Sequence, residues 1–341
     1  MQFREEKTVT KVQKQTYLDG LNALIRARQR QAKSDRDLYI QNIFSDADRY
    51  RNDLREMLGW PLNTHFEGLP RVQSTRLGEE SGYIITRMQF EILDGVWLGG
   101  LLFQKGEQKK PLVIVSHGGL GTPELISGFY DGNTENYNGI LDRVLQYDVH
   151  VFAPQWLLWH SDYEVPFDRA RIDGALKSVG SSITAVELHG LFRILDWLEA
   201  QSYVDTFGMV GLSYGGFYTL FATALEIRIH SAVSCSFFND RDEIHWTDWL
   251  WEKAACRFND AEIAALCYPR HLCIEVGARD ELFECRYAQR SFDRLCTIAK
   301  AQGVGTDWVD FIVFDGNHEF CRDDKPLERL VRDLTSVHSA H

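Results

Sequence analysis

The feature that most constrains this sequence is the pentapeptide GLSYG at residues 211–215, which has the form GxSxG. A strand-like stretch at 206–210 precedes it and an apolar run at 217–225 follows it, so the pattern predicts a strand, a tight turn and a helix. In such a turn the serine hydroxyl stands clear of the backbone, and glycines are needed because side chains would collide with the neighbouring strand and helix. The sequence therefore predicts a nucleophile elbow with Ser213 at its tip, in preference to an ordinary glycine-containing loop.

A serine hydroxyl is a weak nucleophile at neutral pH and needs a base, and that base needs an acid to fix its tautomer and stabilise its charge. In a chain with this elbow the order is serine, acid, histidine, with the last two on loops after later strands. Asp280 follows a strand-like run at 272–276 and His318 follows another at 311–314. We therefore predict Asp280 as the acid and His318 as the base.

Alternatives remain for both partners. Glu281 and Asp315 compete with Asp280 for the role of the acid. Asp280 could also be a helix N-cap ahead of an apolar run at 283–295. For His318 the alternative is a surface-loop histidine without a task.

An acyl transfer also needs hydrogen-bond donors for the oxyanion, and two backbone N–H groups commonly supply them. One should belong to Tyr214, the residue after the serine. The other should come from the loop at 117–119, with Gly119 as the donor because a missing side chain lets substrate approach the backbone. His117 in the same loop is expected to be a structural hydrogen-bonding residue.

Alternation of apolar runs with helical patterns predicts the fold class, which is α/β with a mostly parallel sheet and flanking helices. Continuous apolar runs predict buried strands at 112–115, 149–154, 206–210, 231–235, 272–276 and 311–314. Before them, 83–92 and 96–103 flank an Asp-Gly pair, which predicts an antiparallel hairpin.

Two segments lie outside this alternation. Residues 1–80 are predicted as a helical N-terminal extension that packs on the main domain or on a second copy of the chain, with residues 81–341 forming the catalytic domain. Residues 237–270 are longer than a usual connection and rich in aromatic residues. They form either a cap over the site or an aromatic helical pair that extends the core, and periodicity does not separate the two.

Composition limits the partners of the chain. The formal net charge is −12 and the isoelectric point is near 5.4, which disfavours binding to nucleic acid or to an anionic membrane surface. Seven cysteines are scattered without CxxC pairs, which favours free thiols in a reducing compartment. No secretory signal pattern is seen, and no apolar run approaches the ~20 residues of a spanning helix. We therefore expect a cytoplasmic protein.

The sequence predicts no cofactor and no metal. The phosphate-binding GxxxxGK[ST] pattern, a GxGxxG after the first strand and the zinc-binding HExxH pattern are all missing from it. His245 lies near Asp240, Asp242 and Glu243. A solvated acidic loop is the favoured interpretation of that group, because metal sites draw ligands from more than one segment.

Several motifs together resemble the α/β-hydrolase superfamily. They are HGG at 117–119, DWL at 196–198, VD at 204–205, GLSYGG at 211–216, GARD at 277–280 and GNHEF at 316–320. The resemblance covers roughly residues 80–337. It is greatest to the branch with dienelactone hydrolases, acetyl xylan esterases and related deacetylases, and prolyl oligopeptidase-like enzymes.

This resemblance implies an eight-stranded sheet and a triad of Ser213, Asp280 and His318 that acts on esters without a cofactor. Dienelactone hydrolases carry a cysteine at the nucleophile position, where this chain has Ser213. We therefore expect a serine-dependent hydrolase of small-molecule carboxylic esters that proceeds through an acyl-enzyme. The alternatives are a peptidase or amidase of the same mechanism, and a binding protein that keeps the fold without the reaction.

Overall fold

All the described strands belong to a single β-sheet. The computed structural model describes residues 3–159, 165–244 and 246–336. Its strands are β1 (Arg71–Glu80), β2 (Tyr83–Leu93), β3 (Val96–Gln104), β4 (Lys110–Ser116), β5 (His150–Pro154), β6 (Val204–Leu212), β7 (Ile229–Cys235), β8 (His271–Gly277) and β9 (Val309–Phe314). Their order in the sheet is β1-β2-β3-β5-β4-β6-β7-β8-β9.

The predicted fold class is confirmed. Strands β4 to β9 are parallel to one another, whereas β1, β2 and β3 form antiparallel pairs and β3 joins β5 antiparallel. The predicted hairpin is β2 and β3. The described sheet has nine strands where eight were expected, and β1 at its edge is a strand that the sequence analysis did not identify. Its sequence is mostly polar and its residues are largely exposed, so it lacks the apolar signature of a strand.

Ten helices are described. They are α1 (Lys7–Tyr39), α2 (Ala47–Leu58), α3 (Pro123–Ile126), α4 (Ile140–Leu145), α5 (Arg169–Lys177), α6 (Ile183–Glu199), α7 (Tyr214–Leu225), α8 (Asp260–Ala265), α9 (Cys285–Ala301) and α10 (Lys325–Ser336). Three-residue 3-10 turns lie at Glu135–Tyr137, Arg241–Glu243, Thr247–Trp249 and Ala254–Cys256.

Helices cover both faces of the parallel part of the sheet. Alternate residues of β4 point to opposite faces, with Leu112 and Ile114 in one hydrophobic core and Val113 and Val115 in the other. Helices α2, α6, α7, α8 and α9 supply the first core, and α4 and α10 supply the second. Burial on both faces explains why these strands read as continuous apolar runs in the sequence.

Helix α2 is attached to the carboxyl end of α7, the helix that follows the elbow. Arg51 donates from Nε to the carbonyl of Ala224 at 3.0 Å and from Nη2 to the carbonyl of Leu266 at 2.9 Å. Arg55 donates to the carbonyl of Leu225 at 2.6 Å. The last carbonyls of a helix have no partner within it, so these guanidinium groups satisfy the end of α7. The division of the chain at residue 80 stays a prediction.

The aromatic segment 237–270 consists of three 3-10 turns and the short helix α8. Phe237, Phe238 and Trp249 are fully buried, and Trp251 is nearly so, in the same core as α7. Trp246 is half-buried. Most of the aromatic residues in this segment therefore belong to the core and do not form a separate layer over the site. They lie on turns, whereas the core interpretation expected a pair of helices.

None of the described helices has the length and apolar character needed to cross a membrane.

The contacts of Arg51 give a test of how the N-terminal helices support α7. We expect Arg51→Met to lower the free energy of unfolding by about 2 kcal/mol, because two buried carbonyls lose a charged donor. Denaturant titration of the purified protein measures this change. Arg49→Met is the matched control on the same helix, since the Arg49 side chain is 53% exposed, and it should change stability by less than about 0.5 kcal/mol. Equal losses in the two variants would contradict this account.

Candidate active site

Ser213 occupies the turn between β6 and α7. Its backbone has φ +59° and ψ −119°, a conformation that a residue with a side chain adopts only under strain. Its N–H donates to the carbonyl of Cys235 at 2.9 Å. A Cβ at Gly211 would collide with the backbone of Gly215, and a Cβ at Gly215 would collide with the carbonyl of Ser116. The structure thus contains the strand, the strained turn and the helix that the GxSxG pattern predicts.

Asp280 and His318 form a hydrogen bond of 2.9 Å between Oδ2 and Nδ1. They follow β8 and β9, which are neighbouring parallel strands. The other carboxylate oxygen, Oδ1, accepts from the N–H groups of Leu282 and Phe283, each at 2.9 Å. The Asp280 side chain is fully buried, so these three hydrogen bonds replace its hydration. Because an ionised carboxylate only accepts, Nδ1 carries the hydrogen and Nε2 remains for another partner.

The other candidates for the acid lie elsewhere. Glu281 is exposed, and Asp315 is exposed and pairs with Arg279. The N-cap alternative for Asp280 is wrong, because α9 begins at Cys285 and its N-cap is Glu284. Among the predicted acids, Asp280 is the one that contacts His318.

The loop that carries His318 bends back toward the elbow. Strands β6 and β9 are separated by β7 and β8, which corresponds to about 14 Å of sheet. The carbonyl of Glu319, the residue after His318, accepts from Ser236 Oγ at 2.9 Å and from Cys235 Sγ at 3.4 Å. Cys235 ends β7, and its own carbonyl holds the N–H of Ser213. The histidine loop is therefore fastened one strand away from the elbow.

The predicted oxyanion loop lies against the elbow. A Cβ built on Gly118 would be 3.4 Å from Cβ of Ser213, and one on Gly119 would be 2.9 Å from the ring of Trp159. The carbonyl of Gly119 accepts from Trp159 N–H at 2.9 Å, which holds the loop in place. Tyr214 is the first residue of α7, so its N–H has no acceptor within that helix. Both predicted donors thus belong to segments that adjoin Ser213.

His117 has a structural role in this loop. It is fully buried, its Nε2 accepts from Trp156 N–H at 3.1 Å, and its Nδ1 lies 2.9 Å from the carbonyl of Gly118. Because Nε2 accepts, the hydrogen is on Nδ1. Burial lowers the pKa of His117 to about 4. With both nitrogens engaged, this imidazole is neutral and has no free nitrogen to receive a proton.

A cavity of about 560 Å³ opens beside Tyr214, and its lining includes Trp159, Phe167, Arg169, Tyr214, Trp246 and Asp248. The ring centroids of Trp159 and Trp246 are 5.4 Å apart, and the Trp246 ring is parallel to that of Tyr214 at 5.8 Å. Trp246 also contacts Phe283 at 5.6 Å, and Phe283 contacts His318 at 5.6 Å. A row of aromatic rings therefore runs from the oxyanion loop to His318.

A buried ionic network supports this cavity, and the sequence analysis did not identify it. Arg169 donates to Asp248 at 2.8 Å, to Glu187 at 3.1 Å and to the hydroxyl of Tyr218 at 2.8 Å. The Tyr214 hydroxyl donates to the same oxygen of Asp248 at 2.8 Å. Burial, reinforced by Asp248, raises the pKa of Tyr214, so the phenol stays protonated. The members come from four separate segments, and no spacing motif in the sequence connects them.

A second group that the sequence analysis missed is Glu275, in the middle of β8. It is 1% exposed, and neither carboxyl oxygen has a hydrogen-bond partner in the part of the chain that the structure describes. Burial raises the pKa of Glu275 to about 7, and the thiols of Cys235 and Cys321 act in the opposite direction. This carboxyl therefore titrates near neutral pH on β8, between β7 and β9 and beside the thiols of Cys235 and Cys321.

His245, the histidine of the acidic group at 240–245, lies outside the described residues. Within residues 3–159, 165–244 and 246–336, no three His, Cys, Asp or Glu side chains are arranged to hold a metal ion. All seven cysteines are described and all are free thiols.

Comparison with known proteins shows the fold. No model of a protein family matches the chain, and no curated protein matches it. Among solved structures, a Bacteroides fragilis protein with a proposed acetyl xylan esterase activity is similar at a TM-score of 0.62 and 14% identity. That match covers 78% of this chain and 74% of the other.

Two further solved structures cover more of the chain. A glucuronoyl esterase from Solibacter usitatus matches at a TM-score of 0.56 and 14% identity over 85% of this chain and 91% of its own. An acetyl xylan esterase from Paenibacillus sp. R4 matches at a TM-score of 0.56 and 15% identity. That match covers 86% of this chain and 93% of the other. At these identities the likeness shows the fold, which is the α/β-hydrolase fold, as the motifs in the sequence predict.

The position of Glu275 predicts a specific pH dependence of stability. Its pKa is raised in the folded chain above the unfolded value of about 4.5, so the folded state binds its proton more tightly. The resulting stabilisation is complete below that unfolded value and is lost as the pH rises to about 7. A shift of this size is on the order of 3 kcal/mol. As the pH is raised from 5 to 8, the parent protein should lose this stabilisation and Glu275→Gln should not. We therefore expect the stability of Glu275→Gln, measured relative to the parent, to increase over this range.

Denaturant unfolding of both proteins at pH 5 and pH 8 measures this gain. Glu107→Gln, in an exposed turn, is the control. Its stability relative to the parent protein should be the same at pH 5 and pH 8. A stability difference for Glu275→Gln that is the same at pH 5 and pH 8 would show that the carboxyl is not titrating as stated.

Proposed function

We propose that this chain is a serine-dependent carboxylic ester hydrolase. The observation that carries the proposal is the buried hydrogen bond from His318 to Asp280, on the same edge of the sheet as the strained Ser213 turn. A fully buried carboxylate that holds an imidazole in one tautomer is the arrangement a serine nucleophile requires. Two of the structural neighbours are a glucuronoyl esterase and an acetyl xylan esterase, which agrees with this proposal.

In the proposed reaction, Ser213 Oγ attacks the ester carbonyl while His318 Nε2 takes its proton, and Asp280 stabilises the imidazolium that forms. His318 then gives the proton to the leaving alcohol, which departs and leaves an acyl group on Ser213. Water attacks this acyl-enzyme with His318 as the base, and the carboxylic acid is released. No cofactor takes part in these steps.

The N–H groups of Gly119 and Tyr214 are proposed to hold the oxyanion during both attacks. Two features favour them. Tyr214 N–H lies at the amino end of α7, where the helix dipole favours negative charge. The carbonyl of Gly119 is held by Trp159, which keeps the loop from moving when charge develops.

The aromatic cavity is proposed to receive the substrate. Trp159 is 39% exposed and Trp246 is half-buried, so both have ring surface left for a ligand, unlike the buried Trp156, Trp249 and Trp251. A sugar ring or an aromatic alcohol fits such a surface, because flat apolar faces stack on indole rings. We further propose a cytoplasmic location, which the seven free thiols favour.

A peptidase or amidase would use the same triad and oxyanion donors, whereas a binding protein with this fold would catalyse no reaction with them. Hydrolysis of an amide needs a proton delivered to a poor leaving group, whereas an activated ester does not. We expect hydrolysis of p-nitrophenyl acetate and no measurable hydrolysis of p-nitroacetanilide, which has the same acyl group. Absorbance of the released product measures each reaction. Comparable rates on both substrates would favour the amidase.

Covalent labelling tests the nucleophile itself. A fluorophosphonate probe should label the protein at Ser213, located by peptide mapping, and Ser213→Ala should abolish both labelling and esterase activity. Ser178→Ala, an exposed serine at the end of α5, is the control and should retain both. Labelling at a different serine, or none in a folded sample, would favour a binding protein with this fold.

The other two residues of the proposed triad make separate predictions. His318→Gln and Asp280→Asn should each lower kcat by roughly 10⁴-fold or more with little change in the folded state. Asp280→Asn keeps the shape but can present the wrong hydrogen-bonding group to Nδ1. Steady-state kinetics with circular dichroism as a folding control measures this. An Asp280→Asn protein with parental kcat would exclude the aspartate from the mechanism.

A further inference from the structure

Helix α1 is unusual because most of it lies off the body of the molecule. It has 33 residues, of which Ala32 and Arg36 alone are buried. The carboxyl end is docked, since Arg36 donates to the carbonyl of Ala255 at 2.7 Å and Gln302 donates to the carbonyl of Ile40 at 3.0 Å. Helices in proteins gain most of their stability from packing of an apolar face, and the amino-terminal two thirds of α1 has little such packing within the described chain.

This exposed part carries an apolar stripe, Tyr17, Leu18, Leu21, Leu24 and Ile25. Four of the five are largely exposed, with Tyr17 at 71%, Leu18 at 49%, Leu24 at 56% and Ile25 at 52%. Their spacings of three, four and seven residues place them on one side of a helix. Ile25 and the buried Ala32 are also seven residues apart, so the stripe continues the face that packs on the body.

The stripe is symmetric about Leu21. Leu18 and Leu24 are each three residues from it, and Tyr17 and Ile25 are each four. Two copies of such a helix placed antiparallel about a twofold axis at Leu21 bring Leu21 to Leu21, Leu18 to Leu24 and Tyr17 to Ile25. A twofold interface requires a patch that is complementary to itself, and this pattern meets that requirement.

We propose that α1 mediates a homodimer, in which the apolar stripes of two copies pack antiparallel across a twofold axis at Leu21. The occupant of the exposed stripe is thus a second copy of this chain. The proposal is independent of the esterase reaction, because the stripe lies on the extension and not at the edge of the sheet that carries Ser213.

Charged residues on the same side of α1 make the orientation testable. Lys7, Lys14, Arg28 and Asp35 keep the seven-residue spacing of Leu21. In the antiparallel pair Lys7 faces Asp35 of the second copy, which is favourable. Lys14 faces Arg28, which is a repulsion between like charges next to the stripe. The dimer should therefore tighten when the charge of one member of that repulsive pair is reversed.

Sedimentation of the full chain tests the dimer. We expect a species of twice the monomer mass of 39.3 kDa at a protein concentration of about 100 μM. Leu21→Glu places two carboxylates at the axis and should raise the dissociation constant at least roughly fiftyfold. Ala23→Glu is the control, because it adds the same charge to an exposed position on the opposite side of the helix, and it should leave the dimer intact.

Lys14→Glu tests the orientation. It turns both Lys14–Arg28 repulsions into attractions and should tighten the antiparallel dimer by roughly tenfold at low salt. In a parallel pair position 14 would face itself, so the same change would bring no gain. Lys33→Glu, an equal charge change away from the stripe, should have no effect.

Three results would overturn the proposal. They are a parent protein that sediments as a monomer at 100 μM, a dimer that Leu21→Glu leaves unchanged, and a dimer that Lys14→Glu fails to tighten. Circular dichroism and esterase activity of Leu21→Glu verify that the variant is folded, because the substituted side chain lies away from both the core and the site.

Discussion

The close approach of α7 to the ends of β4 and β6 is the constraint on which the candidate site depends. Gly211 and Gly215 permit it, because a Cβ at either position would meet backbone atoms. The approach forces the positive φ of Ser213 and places the amino end of α7 beside the loop that contains Gly119. A side chain at Gly215 would separate the serine from its proposed oxyanion donors at the same time as it disturbed the sheet.

The sequence predicts the parallel strands and the elbow well because each has a strong local signature. Burial on both faces leaves β4, β5 and β7 as continuous apolar runs. The edge strand β1 escapes prediction because its backbone pairing with β2 needs no apolar side chains. Helix α5 is also not predicted. Its first residue, Arg169, is buried and forms ion pairs with Glu187 and Asp248, which come from later in the chain.

The candidate site likewise contains some residues that the sequence predicts and others that it does not. Ser213, Asp280 and His318 are predicted from a motif and from chain order, and the structure places Asp280 and His318 in contact. The Arg169 network and the buried Glu275 cannot be recognised in the sequence, because the role of a charged residue in the core depends on what the fold places around it. Asp280 and Glu275 are five residues apart on β8 and its loop. The carboxyl of Asp280 accepts three hydrogen bonds, whereas that of Glu275 has no hydrogen-bond partner among the residues that the structure describes.

Helix α7 connects helix α2 to the candidate site. Its amino end adjoins Ser213, and its carboxyl end is held by Arg51 and Arg55 of α2. A helix fixed at both ends can present its first N–H groups to a developing charge without reorganising, which is the property that electrostatic stabilisation requires. Helix α2 is therefore connected to the candidate site through α7, although its hydrogen bonds to α7 lie at the end away from Ser213. A second copy bound through α1 would add to that support, because α1 is anchored beside α2 by the hydroxyl of Tyr50 to the carbonyl of Tyr39 at 2.6 Å.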